Sequence, residues 1–203
     1  MRNPMRAYVD PDILELRMGQ DPLISMRVGS IILYAARIEF HIERAIWRLT
    51  DLKPEGTRPS TDAKMISELI GTLSEIGARR LIGDASVMVA TWCSAATNAF
   101  KLRHDIAHGI SYSIEGAFIF NRNPRMEGEL RKRDTSIFWA DENILELIRE
   151  AFAVLFRCIQ GIATGKVSPD ELATPACLSA LRDARSVFGE FTSLDYNPSF
   201  EKY

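Results

Sequence analysis

Two histidines, an arginine and an aspartate stand within six residues of one another in the segment LRHDIAHG, residues 102–109. Arg103 keeps its positive charge at physiological pH, whereas the imidazoles of His104 and His108 exchange protons near neutrality. A fixed cation and a group that takes or gives a proton are the minimum parts for cleaving a phosphodiester without a metal. The segment therefore predicts phosphate-directed acid–base chemistry, and its residue types leave two other interpretations open.

The first alternative is a zinc site, because His104 and His108 are four residues apart and share one face of a helix. Asp105 stands where the HExxH motif of zinc hydrolases has its glutamate. Aspartate is one methylene shorter than that base, and Gly109 ends the helix on which a metalloprotease would continue. The remaining ligand would have to come from one of three other side chains: His41, Glu39 or Glu43.

The second alternative is a structural helix end. Basic side chains in the last turn of a helix complement its negative end and hydrogen-bond its free carbonyl groups. His108 fits this role, because it directly precedes Gly109, which we expect to end the helix in the left-handed conformation.

The phosphate chemistry depends on how Arg103 and His108 are placed relative to each other. Five residues of helix separate them by about 140° around the axis and ~7.5 Å along it, so they share a flank only because arginine is long. A two-fold axis that brings a second copy opposite would complete the site with two arginines and two histidines. His108 would then act as general acid or base and Arg103 would bind the phosphate, while His104 or Asp105 orients them.

Hydrophobic periodicity places the segment at the end of the third of four long helices. We expect Asp21 and Asp141 to cap the first and fourth helices, and Ser60 or Thr61 to cap the second. Short connections favour antiparallel neighbours, so the predicted fold class is all-α, an antiparallel four-helix bundle. The predicted helices cover about residues 23–52, 60–77, 84–108 and 141–165.

The periodicity changes to two between residues 110 and 140, which predicts a small β-hairpin or an irregular insert between the third and fourth helices. We divide the chain into an N-terminal arm (1–20), a helical domain (21–165) and a C-terminal short helix and tail (166–203). The composition, 46% hydrophobic and 26% charged over 203 residues, is that of an ordinary globular chain with one core.

Charge and cysteine usage limit the classes of function. A net charge of −2 argues against coating nucleic acid, so any contact with RNA would be local. The dense basic cluster Arg131-Lys132-Arg133, with Arg122 and Arg125, would guide RNA or form a solvated strand edge.

Three scattered cysteines suggest small buried hydrophobes rather than a disulfide framework. The aromatic residues, Trp47, Trp92 and Trp139 among them, are expected in the core.

Other sequence signals are absent. The chain shows no glycine-rich phosphate loop or dinucleotide fingerprint, so no cofactor is expected. No apolar run reaches the length of a membrane helix, and the N-terminus lacks the features of a signal peptide. We therefore expect a cytoplasmic protein without a membrane partner.

The segment resembles the signature of the HEPN superfamily (higher eukaryotes and prokaryotes nucleotide-binding domains). That signature is arginine, a polar residue, three further residues and histidine, which here correspond to Arg103, His104 and His108. The ending "IAHG" before a β-prone segment is typical of bacterial members, and "YAARIEFHIERAIWRL" (34–49) resembles their first helix. An acidic residue there often faces the motif, for which Glu39 is the first candidate and Glu43 the second.

The resemblance covers roughly residues 23–165 and implies a four-helix domain that forms a homodimer through the face bearing the motif. Catalytic members are metal-independent endoribonucleases that leave a 2′,3′-cyclic phosphate, often as toxins or phage-defence components. RNA is then the substrate, and a cognate antitoxin or a nucleotidyltransferase is the expected partner. Inactive relatives serve as binding or neutralisation modules, which makes a helical interaction module the alternative function.

Overall fold

A computed structural model of the chain describes residues 4–18, 21–52, 60–114, 117–124 and 135–193. This part is mostly helical and contains a small three-stranded antiparallel sheet. The helices are α1 (Pro4–Tyr8), α2 (Pro11–Arg17), α3 (Pro22–Leu49), α4 (Ile66–Arg80), α5 (Gly83–His108), α6 (Glu142–Thr164), α7 (Pro169–Leu172) and α8 (Pro175–Phe191). The strands are β1 (Ile110–Ile114), β2 (Ala117–Arg122) and β3 (Ser136–Ala140).

Aspartate side chains begin two of the long helices, as the sequence predicts. The carboxylate of Asp21 accepts a hydrogen bond from the backbone N–H of Leu23 at 2.6 Å, and that of Asp141 accepts one from Ile144 at 2.8 Å. Each bond satisfies an N–H group that the first turn of a helix leaves unpaired. Gly165 follows α6 with φ 59°, the left-handed conformation that glycine adopts without steric cost.

The start of α4 corrects one prediction, because neither Ser60 nor Thr61 caps it. The helix begins one residue after Met65, whose backbone N–H donates a hydrogen bond to the carboxylate of Glu68 at 2.7 Å. Thr61 is buried instead, and its hydroxyl accepts a hydrogen bond from the indole N–H of Trp47 at 3.0 Å. A buried indole needs such an acceptor, so this threonine serves the core and not the helix end.

The end of α5 corrects a second prediction. Gly109 has φ −78° and ψ 145°, which is ordinary extended backbone and not the left-handed conformation. Glycine is required here for another reason. A Cβ atom at this position would stand 2.5 Å from the carbonyl oxygen of Asp105 and 3.2 Å from the backbone nitrogen of Asn121. The chain can pass this closely from α5 into β1 because position 109 carries no side chain.

One continuous hydrophobic core joins α3, α4, α5, α6 and α8 and reaches the sheet. Trp92, Phe152 and Phe188, from α5, α6 and α8, are fully buried in it. The indole N–H of Trp92 donates to the carbonyl oxygen of Leu155 at 2.8 Å, so its polar atom is satisfied inside the core. With 17 residues, α8 is longer than the short helix that the sequence predicts after residue 166, and it belongs to the same core.

The insert between α5 and α6, for which the sequence predicts a small β-hairpin or an irregular segment, is a three-stranded meander in the order β1-β2-β3. The middle of β2 is buried, because Phe118, Ile119 and Phe120 are at most 6% exposed. Its last residue, Arg122, lies opposite Ser136, the first residue of β3. The sheet packs against α5 through β2 and β3 and therefore lies next to the end of the helix that carries the motif.

Large apolar side chains are exposed on the N-terminal arm and on the outer face of α3. Helix α2 buries none of its residues. On α3, the side chains of Met26, Leu33 and Phe40 repeat every seven residues and are 57%, 66% and 56% exposed. They leave an apolar stripe along the helix, on the side away from its buried face. No helix in the described ranges combines the length and the apolar character that crossing a bilayer requires.

Candidate functional site

Arg103 points from α5 toward α3, where it meets Glu39. The guanidinium Nη2 lies 3.5 Å from the carboxylate Oε1, and the two side chains are 28% and 38% exposed. A pair this accessible to solvent adds little to stability, so its main effect is to hold the guanidinium in place. Of the two glutamates considered opposite the motif, Glu39 is the one in contact, whereas Glu43 accepts a hydrogen bond from the hydroxyl of Thr61 at 3.2 Å.

Asp105 faces the sheet and is buried, with only 7% of the residue exposed. The hydroxyl of Ser136 donates a hydrogen bond to Oδ2 at 2.7 Å, and Nε of Arg122 lies 2.9 Å from Oδ1. The arginine N–H is not aligned as a hydrogen bond, so this second contact is an ion pair. The carboxylate therefore connects the last turn of α5 to β2 and β3.

The rings of His104 and His108 lie against each other on the solvent side of α5. Their centroids are 4.5 Å apart with an interplanar angle of 56°, and both residues are exposed. The pKa of His104 is lowered, first by partial desolvation and then by the positive charge of Arg122 and by the neighbouring His108. The carboxylate of Asp105 opposes this shift without cancelling it. His104 is therefore predominantly the neutral form at pH 7, with a lone pair free to accept a proton.

An open cavity of about 610 Å³ runs between α4 and α5 and reaches His104. Ile70 and Phe100 contribute apolar surface to it, while Lys101 and Arg122 contribute positive charge near the histidine. The sequence interpretation did not single out Lys101 or the role of Ser136. The spacing could have indicated Lys101, because it precedes His104 by three residues and so shares its helix face. Of the basic cluster, Arg122 is in this cavity, and residues 125 and 131–133 lie outside the described residues.

The metal alternative lacks a third ligand in the described part of the chain. No three histidine, cysteine, aspartate or glutamate side chains converge there in a way that could hold a metal ion. Asp105 is turned toward the sheet and Glu39 toward Arg103. The remaining histidine, His41, packs between the rings of Phe40 and Phe156 at centroid distances of 5.2 and 5.6 Å.

Comparison with known proteins gives this chain no relative. No protein-family model, no curated protein and no solved structure matches it.

Proposed function

We propose that this protein is a metal-independent endoribonuclease of the HEPN type, whose four predicted helices, α3 to α6, share one core with α8. The observation that carries the proposal is the pair of imidazoles in contact near the end of α5, one of which, His104, lines an open cavity together with two cationic side chains. Those cations are Lys101 and Arg122, and Arg103 supplies a third cation on the side of α5 that faces α3. Such a site offers proton transfer and phosphate binding without a metal.

RNA suits this site because it carries its own nucleophile, the 2′-hydroxyl beside each phosphate. Neutral His104 takes the proton of that hydroxyl, and the 2′-oxygen attacks phosphorus. The bond from phosphorus to the 5′-oxygen breaks, and His108, as the general acid, gives a proton to the leaving oxygen. The products are a 2′,3′-cyclic phosphate and a 5′-hydroxyl. One imidazole gains the proton that the other loses, so the pair returns to its starting state by exchange with water.

Arg103 is the group that would stabilise the negative charge growing on the phosphate. Its guanidinium has five N–H donors, and Glu39 engages the Nη2 end, so donors remain for phosphate oxygens. Because Arg103 turns toward α3 while His108 lies on the outer side of α5, we propose that a homodimer through the motif face brings an arginine of one copy to the histidines of the other.

The resemblance extends the proposal to the biological setting. A cytoplasmic ribonuclease of this type acts as a toxin or in phage defence and is held inactive by a cognate antitoxin or a nucleotidyltransferase. The local positive charge in the cavity, on a chain with a net charge of −2, favours a short RNA contact over extended coating.

The first experiment is incubation of the purified protein with structured and unstructured RNA in excess EDTA. Arg103→Ala, His104→Ala and His108→Ala should each lower the cleavage rate by about 10²–10⁴-fold. His41→Gln and Arg80→Ala are matched controls, since they remove a histidine and an arginine that lie outside the motif and its cavity, and they should cleave like the wild type. If EDTA abolishes cleavage, the activity depends on a metal and the metal alternative is favoured.

A second experiment tests whether the site is shared between two copies. Arg103→Ala and His108→Ala proteins, each inactive alone, are mixed and allowed to exchange subunits. If arginine and histidine come from different copies, each mixed dimer has one intact site, and roughly a quarter of wild-type activity should return. Mixed dimers that form and stay inactive would place the whole site within one chain.

A non-catalytic interaction module is the second candidate, and two observations favour it. Arg103 and Asp105 already have partners within the chain, and the arm and α3 expose apolar side chains of the kind that contact other proteins. A folded dimer that cleaves no RNA under any of these conditions would favour this candidate.

A further inference from the structure

Two of the three cysteines meet away from the motif, between α6 and α8. Cys158 and Cys177 line one open cavity of about 450 Å³, and their thiols are in hydrogen-bond contact. Cys158 is buried and Cys177 is half-buried, so solvent reaches the second sulfur more easily than the first. Cys93, the third cysteine, is buried in α5.

The surroundings of Cys177 stabilise a negative charge on its sulfur. It is the third residue of α8, a helix of 17 residues, and its backbone N–H donates to the capping hydroxyl of Thr174 at 3.2 Å. The start of a helix carries partial positive charge, which favours a thiolate. The hydrogen bond from Cys158 lowers the pKa of Cys177 to about 7, against an opposing effect of burial.

The other two thiols are held in the protonated form. The pKa of Cys158 is raised well above its usual value by its hydrogen bond to Cys177 and by burial. Burial alone raises the pKa of Cys93 to about 12. Two charged side chains also line the cavity of the pair, Arg157 from α6 and Glu171 from α7, and the glutamate is already hydrogen-bonded by Ser168.

We propose that Cys177 is a peroxide-reactive thiol and that Cys158 resolves its oxidised form to a reversible disulfide between α6 and α8. The thiolate of Cys177 attacks one oxygen of a hydroperoxide, the O–O bond breaks, and the leaving oxygen takes a proton to become water or an alcohol. The sulfenic acid that results is attacked by the sulfur of Cys158. Its hydroxide leaves with the proton of the Cys158 thiol as water, and a disulfide remains.

The exposure of each sulfur determines whether it reacts with the peroxide or with the oxidised cysteine. The accessible thiol that ionises near neutrality meets the oxidant, and the buried thiol in contact with it is placed to react second. A thiol that reacts with peroxide and has no such neighbour accumulates sulfenic and then sulfinic acid, whereas this pair stops at the reversible disulfide.

The experiment exposes the full-length protein to hydrogen peroxide, alkylates the remaining thiols and digests with trypsin. A disulfide should join the peptide of residues 158–166 to that of residues 167–182, and dithiothreitol should separate them. Before oxidation, Cys177 should be alkylated at pH 7 more than about 10³-fold faster than Cys93, because far more of it is thiolate.

Single substitutions separate the roles. Cys177→Ser should abolish the linked peptide, and Cys158→Ser should stop the reaction at a sulfenic acid on Cys177 that dimedone traps. Cys93→Ser, the matched control, should form the disulfide like the wild type. The proposal is overturned if folded wild-type protein yields no linked peptide, or if Cys177→Ser is oxidised at residue 158 as fast as the wild type. RNA cleavage takes no part in this readout, so the result is independent of the proposed function.

Discussion

Asp105 gives the sharpest test of how the motif is held, because its carboxylate is buried and has two partners from the sheet. Asp105→Ala removes a hydrogen bond to a charged group from Ser136, which is worth about 1.5–3 kcal/mol. It also removes the ion pair with Arg122, whose side chain is 28% exposed, so that screening by solvent reduces this second contribution to about 1 kcal/mol or less. We expect a loss of about 3 kcal/mol in the free energy of unfolding, which for a chain of 203 residues lowers Tm by about 6–12 °C.

The assay is urea unfolding of Asp105→Ala, of Ser136→Ala and of the double variant. Because the two residues share one hydrogen bond, the two single losses should not add, and the coupling energy should be about 1 kcal/mol or more. A loss below about 0.5 kcal/mol in Asp105→Ala, or additive losses in the double variant, would refute the reasoning.

The same carboxylate also affects His104, which provides a second and independent readout. The charge of Asp105 raises the pKa of His104 and that of Arg122 lowers it. Asp105→Asn, which can still accept the bond from Ser136, should therefore lower the histidine pKa, and Arg122→Gln should raise it. Titration of the His104 ring by NMR measures both. Shifts in the same direction for the two variants would contradict the arrangement described.

Further predictions concern a helix end, a helix surface and the pH dependence of stability. Gly109→Ala should destabilise the protein by about 1–3 kcal/mol in urea unfolding, because its Cβ would meet backbone of residue 105 at 2.5 Å. Gly29→Ala, with nothing within 4 Å of the new Cβ on an exposed part of α3, should instead stabilise it by about 0.5–1 kcal/mol, and a loss there would be unexpected. The pKa of His41 is lowered by burial and by two arginines, so its contribution to stability is present above pH 6.5 and is lost as the pH falls toward the folded value. His41→Gln should thus flatten the decrease in unfolding free energy between pH 7 and pH 5, and identical pH profiles would contradict this assignment.

Much of the helical framework could be predicted from the sequence, because it follows from local rules. Asp21 and Asp141 cap their helices through bonds to residues two or three positions away, and Gly165 ends α6 through its own φ. These signals depend on a few neighbouring residues. The apolar periodicity of the long helices is equally local, since a buried face repeats along each helix.

What could not be predicted depends on contacts between distant parts of the chain. Thr61 has the residue type of a helix cap, but Trp47 on α3 takes its hydroxyl into the core. Gly109 looks like a left-handed terminator, but glycine is needed there because a Cβ atom would meet the carbonyl oxygen of Asp105 at 2.5 Å and come within 3.2 Å of β2. Its spacing in the sequence groups Asp105 with the two histidines. In the structure its partners are Arg122 and Ser136, which lie 17 and 31 residues further along the chain, in β2 and β3. The pairing of Cys158 with Cys177 likewise needs the packing of α8 on α6.

The two partners of Asp105 lie opposite each other in the sheet, and this has a consequence for how β3 finds its place. If β3 slipped by one residue along β2, the hydroxyl of Ser136 would turn to the other face of the sheet. The carboxylate of Asp105 would then lose its hydroxyl donor. The end of α5 therefore distinguishes the native register from its neighbours, because only one alignment satisfies a charge that is already out of water.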